Sequence, residues 1–135
     1  MKNIVSIMKL LSDPARLRIL MILTKKELCV CQIMGVLGIS QPLVSRNLKL
    51  LDDSGFIQSR KKGKLVFYSV QEKMPGINFK IAELLKDVLG NDPVLKEDLK
   101  SLRDCEEFQK KTGKCDMETF LSYIEKKRNK RSKEK

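Results

Sequence analysis

The 135-residue chain contains no histidine and no tryptophan, and aromatic residues make up only 5% of it. Histidine is the commonest general base in enzymes and a frequent ligand of zinc, nickel and cobalt. Its absence excludes the mixed imidazole and carboxylate sites that usually hold these metals, and it disfavours acid–base catalysis. Sulfur remains as a soft metal ligand, because the chain has four cysteines.

Long apolar runs are also missing from the chain. No stretch approaches the length of a membrane span, and Met1 to Leu11 mixes Lys and Asn with its apolar residues as a signal peptide does not. We therefore expect a cytoplasmic protein without a membrane partner. In the reducing cytosol, four cysteines indicate thiolate ligands or redox chemistry rather than structural disulfides.

Acidic residues are few relative to basic ones: 17 Asp and Glu face 28 Lys and Arg, which gives a net charge of +11. Such a chain favours an acidic polymer as its partner, because counterions released from phosphates drive binding. The hydrophobic content of 41% is enough for one small core. We predict a principal domain over residues 1–92, a helical extension over 93–125 and a basic, disordered tail over 126–135.

The stretch from Ser40 to Leu51 has the pattern of an amphipathic helix. Ser40 is a suitable N-cap, and Pro42 fits the first turn, where a missing N–H costs little. Val44, Leu48 and Leu51 follow the i, i+4, i+7 spacing that buries one stripe. The opposite face carries side chains that would reach base edges and phosphates in a major groove. They are Gln41, Ser45, Arg46 and Lys49.

The neighbouring segments complete a mainly α winged helix-turn-helix with a small β-hairpin. A helix through Ile33 to Leu37 ends at Gly38 and is joined by a tight turn to the Ser40 helix. Two predicted strands then flank a basic turn and form a wing. Its cations are expected to contact phosphates or the minor groove. They are Arg60, Lys61, Lys62 and Lys64.

Two amphipathic segments suit a two-fold interface. The apolar stripe from Ile77 to Val88 and the N-terminal helix around Ile4 to Leu11 would pair between two copies. A palindromic operator needs two recognition helices about one turn of DNA apart. We therefore expect a homodimer bound to double-stranded DNA.

Cys29 and Cys31 lie at the predicted start of the helix that precedes the Ser40 helix. Soft thiolates select As(III), Sb(III), Cu(I), Cd(II) or Pb(II), and they must lose their protons to bind. Residues i and i+2 of a regular helix point about 200° apart. Binding one ion with both sulfurs would therefore strain the turn that supports the recognition helix. The alternative is that both cysteines are small apolar core residues.

This order of elements resembles the ArsR/SmtB family of bacterial repressors. The residues that carry the resemblance are Ser40-Gln41, Val44 to Lys49, Gly55 and the hairpin from Arg60 to Tyr68. It implies a homodimeric repressor whose first and last core helices pair across the dimer, and which leaves its operator when effector binds. It also places Asn47, where family members often carry histidine, among the DNA-contacting residues.

Glu27-Leu28-Cys29-Val30-Cys31 resembles the metalloid-binding segment of the arsenic-responsive members of that family. The resemblance implies As(III) or Sb(III) as the effector, bound by Cys29 and Cys31, with no cofactor needed for DNA binding. In one arsenic-responsive pattern a third cysteine follows shortly, but here Gln32, Ile33 and Met34 follow. The third ligand is left open. Its candidates are Cys105, Cys115, either of these from a partner subunit, a small thiol and the thioether of Met34.

Two other functions remain as alternatives. The first is a thiol-based redox or sulfur-species repressor, in which Cys29 and Cys31, or Cys105 and Cys115, oxidise. The second is a small thiol oxidoreductase, which the lack of a βαβ pattern and of a nearby activating histidine disfavours. We therefore expect that the chain is not an enzyme.

Overall fold

The computed structural model describes residues 1–112 and residue 125. Cys115, the end of the predicted extension and the basic tail over 126–135 lie outside the described residues. The described part has six helices and three strands. In chain order they are α1 (Lys2–Leu11), α2 (Pro14–Leu23), β1 (Leu28–Cys29), α3 (Val30–Leu37), α4 (Gln41–Asp53), β2 (Ile57–Lys62), β3 (Leu65–Val70), α5 (Gly76–Val88) and α6 (Pro93–Thr112).

Local capping residues set the ends of the helices around the helix-turn-helix. Asp13 is the N-cap of α2, and its carboxylate accepts a hydrogen bond from the Arg16 N–H at 3.0 Å. Gly38 ends α3 with a φ of 68°, and its N–H donates to the Met34 carbonyl at 2.8 Å. Ser40 then begins α4 as its N-cap. These caps confirm the tight turn predicted between α3 and α4.

The strands form one antiparallel sheet in the order β1-β3-β2. Strands β2 and β3 pair from Ile57 opposite Val70 to Lys62 opposite Leu65, which confirms the predicted hairpin. Strand β1 was not predicted. It pairs with β3 and sets Cys29 opposite Phe67. A strand of two residues has no periodicity of its own, so only its tertiary partner reveals it.

A single hydrophobic core joins the helix-turn-helix, the base of the wing and α6. Its fully buried side chains include Ile19, Leu48 and Phe56. Leu102 and Cys105 of α6 belong to the same cluster, and α6 packs on α2 and α3. The helix that starts the predicted extension is therefore part of the core. No helix within residues 1–112 is long and apolar enough to cross a membrane.

Candidate nucleic-acid interface and thiol site

The recognition helix α4 buries one stripe and exposes the other, as its sequence predicts. Val44, Leu48 and Leu51 are fully buried against the core. The polar side chains predicted to face DNA are exposed on the opposite side, and they are Gln41, Ser45, Arg46 and Lys49. Lys49 forms an exposed ion pair with Asp53 at 3.6 Å, one helical turn away. Exposed ion pairs of this kind contribute little to the stability of the protein, so Lys49 can exchange its carboxylate partner for a DNA phosphate.

Asn47 does not share this exposed face, which corrects its assignment to the DNA-contacting set. Its side chain is only 2% exposed, and its Oδ1 accepts a hydrogen bond from Arg16 Nη1 at 3.2 Å. The cause is helical spacing, since Asn47 lies three residues after Val44 and four before Leu51 and so falls on the buried stripe. The Asn47 Nδ2 is buried without a hydrogen-bond partner among the described residues.

Arg16 connects Asn47 to the first helix. Its Nε donates to the Leu10 carbonyl near the end of α1 at 2.5 Å, while its Nη1 contacts Asn47 on α4. A single guanidinium therefore holds the end of α1 and the inner face of the recognition helix. Nothing in the sequence separates Arg16 from the other basic residues, so sequence reasoning missed it.

The wing presents its cations to solvent. Arg60, Lys61, Lys62 and Lys64 are all exposed. Arg60 is held by Glu27, through Nη2 to Oε1 at 2.6 Å and Nε to Oε2 at 2.8 Å. These hydrogen bonds lower the pKa of Glu27 and raise that of Arg60. The structure thus ties the wing to the residue just before β1.

Cys29 and Cys31 lie at the junction between the sheet and α3. Cys29 is the N-cap of α3 with an extended backbone (φ −91°, ψ 171°), and Cys31 is in the first turn. Their side chains are 2% and 6% exposed. The prediction that both cysteines lie at the start of this helix is confirmed, but the strain expected from a regular helical angle between them does not follow. The angle of about 200° between i and i+2 applies only within a helix, and Cys29 precedes the first helical residue.

Gln32 fixes this junction through a reciprocal capping arrangement. Its Oε1 accepts a hydrogen bond from the Cys29 N–H at 2.9 Å, and its own N–H points at the Cys29 sulfur. The Cys29 side chain therefore lies at the N-terminus of α3, held in place by the capping residue Gln32.

The described residues do not bring a third ligand to this pair. Within residues 1–112 and 125, no three Cys, Asp or Glu side chains lie close enough together to hold a metal ion. Cys105 is buried on α6 in the same core, but it forms no such group with Cys29 and Cys31. Cys115 lies outside the described residues. Cys29 and Cys31 offer two soft donors, and a trigonal set of sulfurs requires a third.

A second buried contact joins α6 to the end of α3. Arg18 forms a two-point ion pair with Asp98 at 2.8 and 2.9 Å, and its Nη2 also donates to the Leu37 carbonyl at 3.1 Å. The hydrogen bond from Arg18 to Asp98 raises the pKa of Arg18. Leu37 immediately precedes the turn into the recognition helix. The two partners are 80 positions apart, and no sequence pattern indicated their pairing.

The part of the chain that carries the candidate thiols and the recognition helix matches a known family of regulators. The model for "Bacterial regulatory protein, arsR family" matches residues 13–59. The chain is 40% identical over 80 residues to the arsenical resistance operon repressor of Escherichia coli (strain K12), covering 58% of this chain and 68% of that protein. It is 36% identical over 72 residues to a homolog of the cadmium resistance transcriptional regulatory protein CadC from Staphylococcus aureus, covering 53% and 60%.

A solved structure shows the same architecture. Reduced HlyU from Vibrio cholerae N16961 matches with a TM-score of 0.56 at 29% identity, covering 64% of this chain and 88% of that one. The segment matched by the family contains β1, α3 and α4. These are the elements that carry the candidate thiols and the outward-facing polar side chains.

Proposed function

The chain belongs to the arsR family of bacterial regulatory proteins, and on this basis we propose that it is a repressor released from its operator by As(III) or Sb(III) at Cys29 and Cys31. Its relatives are transcriptional regulators and not enzymes, which confirms the prediction that the chain is not an enzyme. The observation that carries the proposal is the position of both thiols at the sheet–helix junction just before the helix-turn-helix.

DNA binding is assigned to the exposed face of α4 and to the wing. Gln41, Ser45, Arg46 and Lys49 are exposed on the helix that follows the turn, as a base-reading face requires. The wing cations beside them would contact phosphates, which position the protein without specifying sequence. Asn47 is left out of this interface because its side chain is buried.

A homodimer is supported by apolar side chains that α1 and α5 leave exposed in the single chain. Ile4, Val5 and Met8 lie on α1, and Phe79, Leu84 and Val88 lie on α5. Large apolar side chains left exposed on two helices are typical of a protein–protein contact. Two copies joined through these helices would present two recognition helices to a palindromic operator.

The choice of effector rests on donor chemistry. Thiolates are soft ligands and favour thiophilic ions over magnesium or calcium. Two relatives are named for arsenical and for cadmium resistance. As(III) and Sb(III) need three sulfurs in a pyramid, whereas Cd(II) prefers four ligands. Two sulfurs at the junction are closer to the trigonal requirement, so we favour the metalloids.

Effector binding is coupled to DNA binding through the two elements that contain the cysteines. Cys29 is hydrogen-bonded into the sheet that contains the wing, while Cys31 is in α3, which packs on α4. Both side chains are buried, so a bound ion has to change the β1–α3 junction. Allosteric coupling energies are typically ~1–3 kcal/mol, so operator affinity should fall roughly 5- to 150-fold.

A titration of the operator complex tests the proposal. The operator is first selected from a random DNA pool with the reduced full-length protein, and binding is then followed by fluorescence anisotropy as arsenite is added. We expect Cys29→Ser and Cys31→Ser to retain operator affinity and to lose release by arsenite. Two mutants that still respond like the parent protein would contradict the assignment.

A redox-responsive repressor is the second candidate function. It is favoured by the likeness to a solved structure of HlyU in its reduced form. Three cysteines of the described part are present as thiols, and oxidation of Cys29 and Cys31 would distort the same junction. Release by peroxide or persulfide in the absence of any metalloid would favour this candidate over the first.

A further inference from the structure

An open cleft of about 350 Å³ lies beside the sheet–helix junction, between the wing, the start of α3 and the end of α6. Three of its lining residues are immediate neighbours of the buried cysteines. Gln32 follows Cys31 in the chain and caps Cys29, and Phe67 lies opposite Cys29 in the sheet. Gln109, the third, lies one helical turn after Cys105. The cleft therefore borders the region of the thiols, whose own side chains are buried and do not line it.

The lining of this cleft is positively charged. Lys26, Arg60 and Lys62 line it together with one carboxylate, that of Glu27. Glu27 is held by Arg60, whose hydrogen bonds lower the pKa of that carboxyl, and Lys26 pairs with Glu106 of α6, with Nζ 3.3 Å from Oε1. Three cations against these two carboxylates leave a net charge of +1, which suits an anion.

One residue that lines the cleft carries a buried donor. The Nε2 of Gln109 is buried without a hydrogen-bond partner among the described residues. Leaving such a group unpaired costs free energy, so a ligand oxygen that reached it through a rotation of the Gln109 side chain would be favoured. The cations and the amide together fit a carboxylate-bearing molecule. Arsenous acid itself is uncharged near neutral pH and would gain nothing from the cations.

We propose that this cleft binds a small anionic thiol, and that its sulfur supplies the third ligand to As(III) held by Cys29 and Cys31. The inference rests on the proposed function and deepens it by naming the missing ligand. Within the described residues, Cys29 and Cys31 form no group of three potential ligands with a further Cys, Asp or Glu. The cleft that borders them carries the charge and the donor expected for a thiol with carboxylates.

The exchange is balanced in atoms and electrons. An arsenic tris(thiolate), As(SR)₃, loses two As–S bonds to its thiolates and gains two to the sulfurs of Cys29 and Cys31. The two protons of the cysteine thiols pass to the departing thiolates, which leave as two RSH. Arsenic stays As(III), one SR remains bound, and no oxidant or reductant takes part. Because both cysteines are buried, the β1–α3 junction has to open, and this is the change proposed to weaken operator binding.

Native mass spectrometry of the reduced full-length protein tests the inference. The protein is mixed with arsenite and one of three thiols, the anionic tripeptide glutathione, neutral mercaptoethanol or cationic cysteamine. Unbound molecules are then removed by gel filtration. We expect one arsenic and one glutathione per occupied site, and less retention of the neutral and cationic thiols. Arsenic bound without any thiol, or equal retention of all three, would overturn the inference and leave the proposed function standing.

A pair of adjacent lysines provides a matched control. Lys26 lines the cleft and Lys25 does not, although both are exposed. We expect Lys26→Gln to weaken glutathione retention by roughly 1.5- to 5-fold, the worth of an exposed ion pair. Lys25→Gln makes the same change in charge and should retain glutathione like the parent protein. An equal loss of glutathione retention in the two variants would show that only the overall charge of the protein matters. That result would contradict binding in the cleft.

Three further variants separate the remaining sources of the third sulfur. Cys105→Ser, Cys115→Ser and Met34→Leu should each keep arsenic and glutathione in equal amounts. Loss of arsenic from any of these variants would assign the third ligand to the protein and overturn the inference. Absence of arsenic from the parent protein with every thiol would overturn the proposed function as well, and so it is a distinct outcome.

Discussion

Cys29 lies opposite Phe67 in the antiparallel pair of β1 and β3. Strand β3 pairs along its other edge with β2, which carries Arg60, Lys61 and Lys62. The thiol proposed to bind the effector and the cations proposed to contact DNA therefore belong to one sheet. A disturbance at Cys29 has a path to the wing through backbone hydrogen bonds, in addition to the path through α3 and α4.

This sheet connection predicts an effect of effector on the wing. Arsenite should accelerate amide hydrogen exchange in Leu65–Val70, because binding at Cys29 disturbs the β1–β3 pairing. A change of ~1 kcal/mol in local opening corresponds to roughly 5-fold faster exchange. The measurement is hydrogen exchange by mass spectrometry on the protein without DNA. Cys29→Ser is the control, and an equal acceleration in that variant would refute a path through Cys29.

Substitution of two arginines should affect different properties: Arg16→Ala lowers the stability of the protein, and Arg46→Ala lowers its affinity for DNA. Arg16→Ala leaves the Asn47 Oδ1 and the Leu10 carbonyl without their donor, at a cost of roughly 1–3 kcal/mol. Arg46→Ala, on the exposed face, should alter stability by no more than about 0.5 kcal/mol and should weaken operator binding. Urea unfolding and anisotropy on both variants check this. An Arg46 variant with parental affinity would contradict its assignment to the interface.

The wing lysines should contribute affinity that is independent of sequence. Replacing Lys61 and Lys62 together with alanine is expected to weaken binding to operator and random DNA alike. The slope of log K against log salt should fall by about 0.9 for each phosphate that the variant no longer neutralises. The matched control is Lys110→Ala with Lys111→Ala, which removes the same charge from the end of α6. If the control lowers the slope equally, net charge rather than the wing is responsible.

The pair between Glu27 and Arg60 predicts a pH dependence of stability. Hydrogen bonds from Arg60 lower the pKa of Glu27 below its ordinary 4.5. A carboxylate whose pKa falls on folding stabilises the protein above the unfolded pKa, and this contribution is lost as the pH falls through the folded pKa. Glu27→Gln should therefore be less stable than the parent at neutral pH, with the difference closing below pH 4.5. Urea unfolding across that range measures it.

The same substitution has a consequence for DNA. Arg60 in Glu27→Gln loses its carboxylate partner and becomes available to a phosphate. Affinity for random DNA should rise, and the salt slope should increase by about 0.9. Unchanged affinity would place Arg60 away from the DNA backbone.

How far the sequence could predict this structure depended on the range of the contacts. The stripe of Val44, Leu48 and Leu51 and the stop at Gly38 are local, and both were predicted. Asn47 was misassigned from the family resemblance, although its spacing from Val44 already placed it on the buried stripe. The Arg18–Asp98 pair joins residues 80 positions apart, and no pattern within a helix encodes such a pairing. The third sulfur ligand was left open for the same reason.

The exposed apolar faces of α1 and α5 predict a dimer that depends on both helices. Phe79 is 56% exposed in the single chain, and Phe79→Glu would place a charge in the proposed interface. We expect sedimentation equilibrium to show a monomer for this variant, and operator affinity to fall because one recognition helix is lost from each complex.

Thermal stability of the parent should rise with protein concentration, since dimerisation stabilises by mass action, and that dependence should vanish in the variant. Val66→Glu is the control, because Val66 is an exposed apolar residue of the wing outside both helices. A Phe79 variant that remains dimeric, beside a dimeric Val66 variant, would move the interface away from α5.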